Sequence, residues 1–364
     1  MSTLTPDLLG RIRSRAAGYD RDNAFFDEDL DELRAAGYLA PRPLLELARD
    51  QRLLAAHAPA TALGINMHLV WVSVATVLHN RGDASLDWVL DDAAAGELFA
   101  FGNSEPGNDL VLWDSLTTAT PVDGGFAFTG TKIFTSLGPA WTRLGVFGRH
   151  GDELVHGFLD RSSPGVTTLD DWDTLGMRAT QSRTTLLDGA FVATERISRT
   201  LPVGPNADPF VFAIFSSFLL LIGSVYAGIA DRALELAVEA ARQRTSLKTG
   251  LPYADDPDIR WRLADAALAL DALRPDLESL AADVDAGTDH GAAWFRYLTG
   301  AKHRSTEAAR RVVDQAMRVA GGSGYRSSSE LARLQRDVLA GIYHPSDTES
   351  VHSTVATNLL GPAA

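Results

Sequence analysis

The stretch FGNSEPG, which runs from Phe101 to Gly107, stands where the periodicity of the chain changes. Before it, from about residue 5 to 95, apolar residues recur at the three- and four-residue spacing of helices. After it, Gly, Thr and Asp separate short alternating runs such as GFAFTGTKIF, where Phe126 and Phe128 share one face. The middle of the chain is therefore predicted to be a β-domain.

Helical spacing returns from about residue 207. An apolar stripe there recurs every three or four residues and comprises Leu263, Ala267, Leu270, Leu273, Leu277 and Leu280. A further helix is predicted from near Ala292 to Ala320, because the following Gly321-Gly322 suit a left-handed C-terminal cap. The pattern predicts an α+β fold with an N-terminal helical domain at 1–96, a middle β-domain at 97–204 and a C-terminal helical domain at 205–364.

The composition excludes several classes of protein. The 364 residues include no cysteine, which excludes a disulfide framework, a thiol nucleophile and metal sites built on thiolates. A net charge of −14 argues against a nucleic-acid partner, because phosphate binding needs clustered Lys and Arg. The apolar run from Pro209 to Ala230 is long enough to span a bilayer, but its serines, its glycines and the absence of flanking basic clusters favour a buried helix. We therefore expect a cytoplasmic protein with no membrane partner.

Motifs of common hydrolases and nucleotide-binding proteins are absent from the sequence, which contains no GxSxG, HExxH or GxxxxGK. The GGSG at Gly321 to Gly324 follows a predicted helix instead of a strand, so it is not a dinucleotide-binding fingerprint. The nine histidines show no metal-ligand spacing, and no metal site is predicted. Four of them are interpreted as surface or packing residues: His150, His156, His290 and His303.

Six segments, in unbroken order from about residue 20 to 360, resemble those of one family, the acyl-CoA dehydrogenases. FGNSEPG resembles the family's TEPGxGSD, and GTKIFTS resembles its NGxKxWIT strand. The other four segments are WDTLGMRATQSRTTLLDGAFV (172–192), AGIADRALELAVEAARQRT (227–245), RVAGGSGY (318–325) and the RD pair at 336–337. The resemblance implies an acyl-CoA dehydrogenase-like fold, with a middle β-barrel and a C-terminal four-helix bundle, and a flavin-dependent oxidoreductase.

The resemblance also implies which residues contact the flavin ring. Phe134 falls where the family usually has Trp against the ring, and Ser136 falls where a Thr hydrogen-bonds near the flavin N5 atom. Ser104 replaces another flavin-contacting Thr in the segment that Phe101 opens. A flavin ring is expected to need a hydrogen-bond donor near N5, and both Thr-to-Ser exchanges keep a donor, so flavin binding is chemically consistent with the sequence.

Two further sets of residues are implied for the diphosphate or phosphate of the cofactor, which would be FAD, or FMN supplied in the reduced state. One set is Arg242 or Arg244, and the resemblance leaves the choice between them open. The other is the backbone at Gly321 and Gly322, which this family contributes from a neighbouring subunit. A homodimer or homotetramer is therefore implied.

The family's catalytic base is missing from its usual position. Dehydrogenases of this kind need a carboxylate to remove the α-proton of an acyl thioester. The residue eight places after the RD aspartate is Pro345, and the alternative position on an earlier helix falls near Phe218, where there is no Asp or Glu. A relocated base would have to be Asp347 or Glu349. The family's substrate-contacting serine is absent too, with Leu110 at that count.

His344 stands beside Pro345, seven residues after Asp337. A histidine at that count resembles the two-component flavin monooxygenases of the same fold, which use reduced flavin supplied by a reductase. There it can act as a base or donate a hydrogen bond, and an unperturbed pKa near 6.5 suits both roles. The alternative interpretation is an ordinary residue at the end of a helix.

Three functions are consistent with these residues. The first is a monooxygenase that uses reduced flavin and O2 on a small molecule, with His344 and Ser136 at the reacting site and a flavin reductase as partner. The second is a divergent acyl-CoA or acyl-carrier-protein dehydrogenase that uses FAD on a thioester. The third is a catalytically inactive partner subunit.

Overall fold

Five helices precede the first strand in the computed structural model, which describes residues 3–110 and 112–361. They are α1 (Pro6–Asp22), α2 (Asp27–Ala35), α3 (Leu44–Ala55), α4 (Pro59–Asn80) and α5 (Asp87–Ala94). Helix α1 begins where the Thr5 side chain accepts a hydrogen bond from the backbone N–H of Leu8, with Pro6 in the first turn. The predicted N-terminal helical region is thus formed by residues up to Ala94.

The middle region is one mixed sheet of eight strands within the described residues. The strands are β1 (Phe99–Gly102), β2 (Thr118–Val122), β3 (Gly125–Thr135), β4 (Arg143–His150), β5 (Glu153–Asp160), β6 (Val166–Thr168), β7 (Arg183–Ala193) and β8 (Ile197–Pro202). Their order is β6-β7-β3-β2-β4-β5-β8, and β1 pairs in parallel with β4. The β2–β3 hairpin turns at Asp123-Gly124, where Gly124 has a φ of 79° that favours glycine.

Four long helices form the C-terminal bundle: α6 (Pro209–Gln243), α7 (Pro257–Asp271), α8 (Leu273–Asp285) and α9 (Ala293–Ala320). Helix α9 ends at Gly321 as predicted, but with φ of 63° and ψ of −152° this residue is not in the left-handed helical conformation that was expected; it adopts one that glycine alone readily reaches. The shorter α10 (Glu330–Asp337) and α11 (Thr348–Leu360) follow. One continuous apolar core runs through all three regions, so the regions do not have separate interiors.

Two helices in the described part of the chain are long and apolar enough to cross a membrane by length and composition. They are α4 and α6, with mean hydropathies of 1.6 and 2.2 in their most apolar windows. In the fold, 94% and 89% of those windows are buried, because α4 and α6 pack against each other and against α3. Their apolar character is therefore accounted for by the core.

The Arg336-Asp337 pair joins the three regions. The Arg336 guanidinium donates to the Asp20 carboxylate of α1 at 2.9 Å and to the carbonyl of Leu175 at 3.0 Å. The buried Asp337 carboxylate accepts the backbone N–H of Met177 at 2.6 Å, and burial raises the pKa of Asp337 to about 6. The RD motif therefore fixes the 172–182 segment, which follows β6, against α1 and α10.

Two histidines outside the motifs are buried in the core. His68 lies between the Leu39 carbonyl and the Phe99 N–H, at 3.0 and 3.2 Å, and burial lowers its pKa to about 4. His156 stacks on Phe147 with ring centroids 5.2 Å apart, and burial lowers its pKa to about 3. The interpretation of His156 as a packing residue agrees with this environment.

Protonation of His156 should make the fold sensitive to acid. Its folded pKa lies below the unfolded value, so between about pH 6.5 and 3 only the unfolded chain takes up this proton. The unfolding free energy should therefore fall as the pH falls, by about 1.4 kcal/mol per pH unit for this one group. A His156→Phe variant should show a slope smaller by that amount in urea titrations between pH 6 and about 4.5. Between about pH 7 and 8 the difference in unfolding free energy between variant and wild type should be constant. An unchanged slope of the unfolding free energy against pH in the acid range would contradict the prediction.

Candidate active site

The end of β3 carries a bulge that turns one aromatic ring outward. The pairing of β3 with β7 shifts register between Lys132 and Thr135, and Phe134 between them has a φ of 56°. Bulges commonly re-aim a side chain in this way. The Phe134 ring is consequently 54% exposed and meets Trp172 edge to face, with ring centroids 6.1 Å apart. The residue predicted to stack on the flavin thus has an accessible ring.

Ser136 is the first member of a chain of three hydroxyl groups. Its Oγ lies 2.7 Å from Oγ of Ser182, which lies 2.7 Å from Oγ1 of Thr180. The Thr180 hydroxyl donates to the carbonyl of Met177 at 2.8 Å. All four residues are buried. We call Ser136, Ser182 and Thr180 the hydroxyl chain; its last two members were missed in the sequence.

Backbone strain is concentrated around the hydroxyl chain. Six non-glycine residues in the described parts of the chain have left-handed φ angles. Four of them, Phe134, Leu137, Met177 and Gln181, are neighbours of the three hydroxyls in sequence. Each such conformation costs about 1–3 kcal/mol, and clusters of them typify functional sites. This strain marks the end of β3 as a candidate site independently of any motif.

A buried ion pair joins the two segments that gave the strongest resemblance. Nζ of Lys132 lies 2.6 Å from Oε1 of Glu105, and both side chains are almost fully buried. Lys132 also donates to the carbonyl of Phe147 at 2.8 Å. Burial alone would raise the pKa of Glu105, but Lys132 and the N–H donors around it lower it to about 2. Burial lowers the pKa of Lys132 to about 8 even beside this carboxylate.

Ser104 contacts β3, and Phe101 contacts α6. The carbonyl of Ser104 accepts the N–H of Ile133 at 2.9 Å, which sets the FGNSEPG segment against β3. The Phe101 ring stacks on Phe218 of α6, with centroids 5.6 Å apart and planes 17° apart. The resemblance places the acid of relatives with an earlier-helix base near Phe218. An aromatic pair occupies that place here.

His344 is held from two sides. Its Nδ1 lies 3.0 Å from the hydroxyl of Tyr226, a fully buried residue of α6. The buried Lys302 of α9 donates to the carbonyls of Gly341, His344 and Ser346, at 3.0, 2.8 and 2.9 Å. A lysine with three carbonyl acceptors has each of its ammonium hydrogens paired. The segment that carries His344 is therefore fixed to α9, and sequence reasoning found neither Tyr226 nor Lys302.

These contacts determine the protonation state of His344. In residues 3–110 and 112–361 the Tyr226 hydroxyl has His344 as its one hydrogen-bond partner. A phenol that accepted a proton from Nδ1 would leave its own buried O–H unpaired, so it donates, and the imidazole proton lies on Nε2. Burial, and secondarily the Lys302 ammonium, lower the pKa of His344 to about 3. The expected value near 6.5 is wrong here, and His344 is a neutral Nε2–H donor at neutral pH.

The carboxylates considered as relocated bases have other environments. Asp347 caps α11, because its Oδ1 accepts the backbone N–H of Ser350 at 2.8 Å. Glu349 is an exposed residue in the first turn of that helix. Leu110, at the count of the family's substrate-contacting serine, is 51% exposed. None of these three residues makes a described contact with His344.

The two candidate arginines differ in their contacts. Arg244 donates to the carbonyl of Ala320 and lies over the ring of Tyr253, with its guanidinium carbon 4.7 Å from the centroid. A Cβ on Gly321 would come within 3.3 Å of Nη1 of Arg244, so this glycine permits the close approach. Arg242 is exposed at the end of α6, and Gly322 is open on all sides. The structure thus brings Arg244 and Gly321 together within one chain.

Comparison with known proteins agrees with this architecture. Residues 220–346 match the family model described as acyl-CoA dehydrogenase, C-terminal domain. YdbM of Bacillus subtilis (strain 168), named as an acyl-CoA dehydrogenase, is 27% identical over 96% of this chain and 94% of its own length. The solved structure of KijD3 with FMN and a dTDP-linked amino sugar has a TM-score of 0.86 and 25% identity, and covers 98% of this chain and 92% of that chain. The chain is thus similar to acyl-CoA dehydrogenases over nearly its full length, and residues 220–346 match their C-terminal domain.

These similarities confirm the predicted class, a flavin-dependent oxidoreductase. L-evernosamine nitrososynthase of a Micromonospora species is 32% identical over 60% of this chain, but the aligned part is only 53% of that protein. The site residues themselves fit a flavin. Phe134 offers an exposed ring on a strained bulge, and a ring nitrogen of Trp172 beside it is buried with no partner among the described residues. A planar group with polar edges would meet both features.

Proposed function

We propose that this protein is a monooxygenase that uses reduced flavin and O2 on a small molecule. The observation that supports it is the state of His344, whose neutral imidazole is held by Tyr226 and whose backbone carbonyl is held by Lys302, beside the position where a dehydrogenase would have its carboxylate. Removing a weakly acidic α-proton requires a base, and an imidazole protonated at Nε2 with a lowered pKa is a poor one. A fixed N–H donor suits an oxygenase instead, because it can stabilise charge that develops on oxygen.

Each predicted cofactor residue then has a separate role. Phe134 would face the flavin ring, and Ser104 and Ser136 would provide hydrogen-bonding groups at its edge. Arg242, being exposed, is the better candidate for the diphosphate or phosphate, because Arg244 already holds the Ala320 carbonyl. Bound reduced flavin supplies the two electrons that activate O2. The residues of this chain hold the flavin, exclude water and donate from Nε2 of His344.

The substrate class is proposed from the site and the relatives together. The Phe101–Phe218 pair provides an aromatic wall, and several relatives are nitrososynthases of amino sugars. A small molecule that bears an amine or an aromatic ring is the substrate we propose. A separate flavin reductase would supply the reduced cofactor.

A homo-oligomer is part of the same proposal. Trp261 and Leu268 lie seven residues apart on α7 and are 65% and 74% exposed. Two large apolar side chains on one face of a helix suit burial against a second copy of the chain. Light scattering at micromolar concentration should give at least the mass of a dimer.

The dehydrogenase remains the second candidate because YdbM aligns over nearly the full chain. It would need Glu349 as its base, and this residue is exposed on α11. Anaerobic addition of short, medium and long acyl thioesters to the oxidised flavoprotein separates the two functions. Loss of the flavin absorbance on adding a thioester would establish the dehydrogenase and contradict the monooxygenase.

The test of the monooxygenase uses photoreduced FMN or FAD mixed with oxygen and a panel of amines and phenols. We expect an oxygenated product with at least one substrate class, and faster release of hydrogen peroxide when His344 is removed. A His344→Phe variant has no side-chain N–H and should lower the rate of product formation by about 100-fold, the usual effect of removing one preorganised donor. His352→Phe, at an exposed histidine of α11, is the matched control and should retain the wild-type rate. No oxygen-dependent product from any substrate class would contradict the proposal.

A further inference from the structure

The hydroxyl chain has only one consistent direction of hydrogen bonding. The carbonyl of Met177 can only accept, so the single proton of Thr180 is used on it at 2.8 Å. Ser182 must then donate to Thr180, and Ser136 must donate to Ser182. No other arrangement satisfies all three contacts with one proton for each hydroxyl. The Ser136 hydroxyl therefore has lone pairs, and no proton, left for a ligand, so the expected donor at this position is instead an acceptor.

The backbone N–H groups of Ser136 and Leu137 are also already hydrogen-bonded within the protein. The N–H of Ser136 donates to the carbonyl of Phe134 at 2.9 Å, and the N–H of Leu137 donates to the carbonyl of Thr180 at 3.2 Å. The Met177 carbonyl, which accepts from Thr180 at the far end of the hydroxyl chain, is held in place because the N–H of Met177 donates to the buried Asp337. The Ser136 end of the site thus presents an acceptor, and neither of these two backbone donors is free.

We propose that Thr180 and Ser182 are positioning residues that make this site select reduced flavin. The inference rests on the proposed function in one respect, that Ser136 lies at the flavin N5. Reduced flavin carries a hydrogen on N5 and can donate to the Ser136 oxygen. Oxidised flavin has a lone pair on N5 and would face the lone pairs of Ser136. The direction of hydrogen bonding in the hydroxyl chain therefore favours reduced flavin over oxidised flavin.

The test measures dissociation constants of the oxidised and reduced forms of FMN or FAD, whichever binds more tightly, by anaerobic fluorescence titration. In the wild type, reduced flavin should bind more tightly. In Thr180→Val, Ser182 loses its acceptor and can donate to Ser136, whose proton is then free to turn toward the ligand. We define the ratio as the dissociation constant of oxidised flavin divided by that of reduced flavin. We expect this ratio to fall by about tenfold, the effect of one hydrogen bond. For a two-electron couple this corresponds to a potential about 30 mV more negative.

The controls distinguish an effect of hydrogen-bond direction from a general disturbance of the structure. Thr180→Ser keeps the hydroxyl and should keep the wild-type ratio. Thr185→Val removes a buried threonine hydroxyl of β7 that has no partner among the described residues, and should also keep it. Ser182→Ala breaks the chain at a second point and should reproduce Thr180→Val if that variant does not fold.

Two outcomes would overturn the inference: an unchanged ratio in both chain-breaking variants with flavin still bound, or an equal fall in Thr180→Ser. Either result leaves oxygen-dependent product formation untouched, so it is distinct from a failure of the proposed function. If the monooxygenase assay gives no product but the ratio of dissociation constants changes as expected, the role of the hydroxyl chain stands and the proposed monooxygenase function is rejected.

Discussion

A Glu105→Gln variant should lose about 3–5 kcal/mol of unfolding free energy, because it leaves the ammonium of Lys132 buried without its counter-ion. The carboxylate accepts five hydrogen bonds, of which four come from groups other than Lys132: Asn108 Nδ2, Ser115 Oγ and the N–H groups of Leu116 and Thr117. A glutamine amide would also turn an N–H toward some of these donors. Urea denaturation followed by circular dichroism measures the loss.

The matched control is Glu195→Gln, at an exposed position in the same region, which should change the unfolding free energy by less than about 0.5 kcal/mol. In the double variant Glu105→Gln/Lys132→Met, the unpaired ammonium is gone, so the loss should be smaller than the sum of the two single losses. Additive losses would mean that Glu105 and Lys132 do not stabilise each other.

The order of elements was predictable because local patterns determine it. The alternating run after Asp123-Gly124 predicted the β2–β3 hairpin, and the glycines after Ala320 predicted the end of α9. Phe134 was identified by its position in a motif. Its exposure depends on a bulge against β7, about 50 residues later in the chain, and no local pattern encodes that pairing.

The contacts of the candidate site could not be predicted in the same way. Tyr226 and His344 are 118 residues apart in sequence, and Ser136 and Ser182 are 46 apart. The count from Asp337 located His344, but its tautomer and lowered pKa depend on burial and on partners from α6 and α9. The expected pKa near 6.5 assumed an unperturbed imidazole, whereas desolvation and the Lys302 ammonium lower the pKa of His344 to about 3.

One signal in the composition could have found two of the missed residues. Of the 33 basic residues, only three are lysines, and the other thirty are arginines. Two of the three, Lys132 and Lys302, are fully buried, and Lys248 is exposed. A compact ammonium with three donors fits among carbonyls where a planar guanidinium does not. In this arginine-rich chain, two of the three lysines therefore stand at buried positions where that geometry is required.

A Lys302→Met variant should lower the rate of product formation by about 100-fold or more, because the donor from His344 would no longer be held in place. Methionine fills a similar volume but leaves the carbonyls of Gly341, His344 and Ser346 without their donor. Each buried carbonyl left unpaired costs about 1–3 kcal/mol, and water can pair those near the surface. We expect about 2–4 kcal/mol lower unfolding free energy, so the variant should still fold.

The pH dependence of the remaining rate separates a positioning role from simple loss of stability. The Lys302 ammonium contributes to the lowered pKa of His344. Without that charge, and with a looser segment, the pKa should rise from about 3 toward its unperturbed value, so the imidazole becomes protonated over a range where it is now neutral. Once protonated, Nδ1 can no longer accept from the Tyr226 hydroxyl, so the ring loses the contact that orients its Nε2–H. The rate of Lys302→Met should therefore fall toward acid pH over a range where the wild-type rate stays constant. Lys248→Met is the matched control and should behave as the wild type. A uniform rate loss with an unchanged pH profile would mean that Lys302 supports the fold without controlling the state of His344.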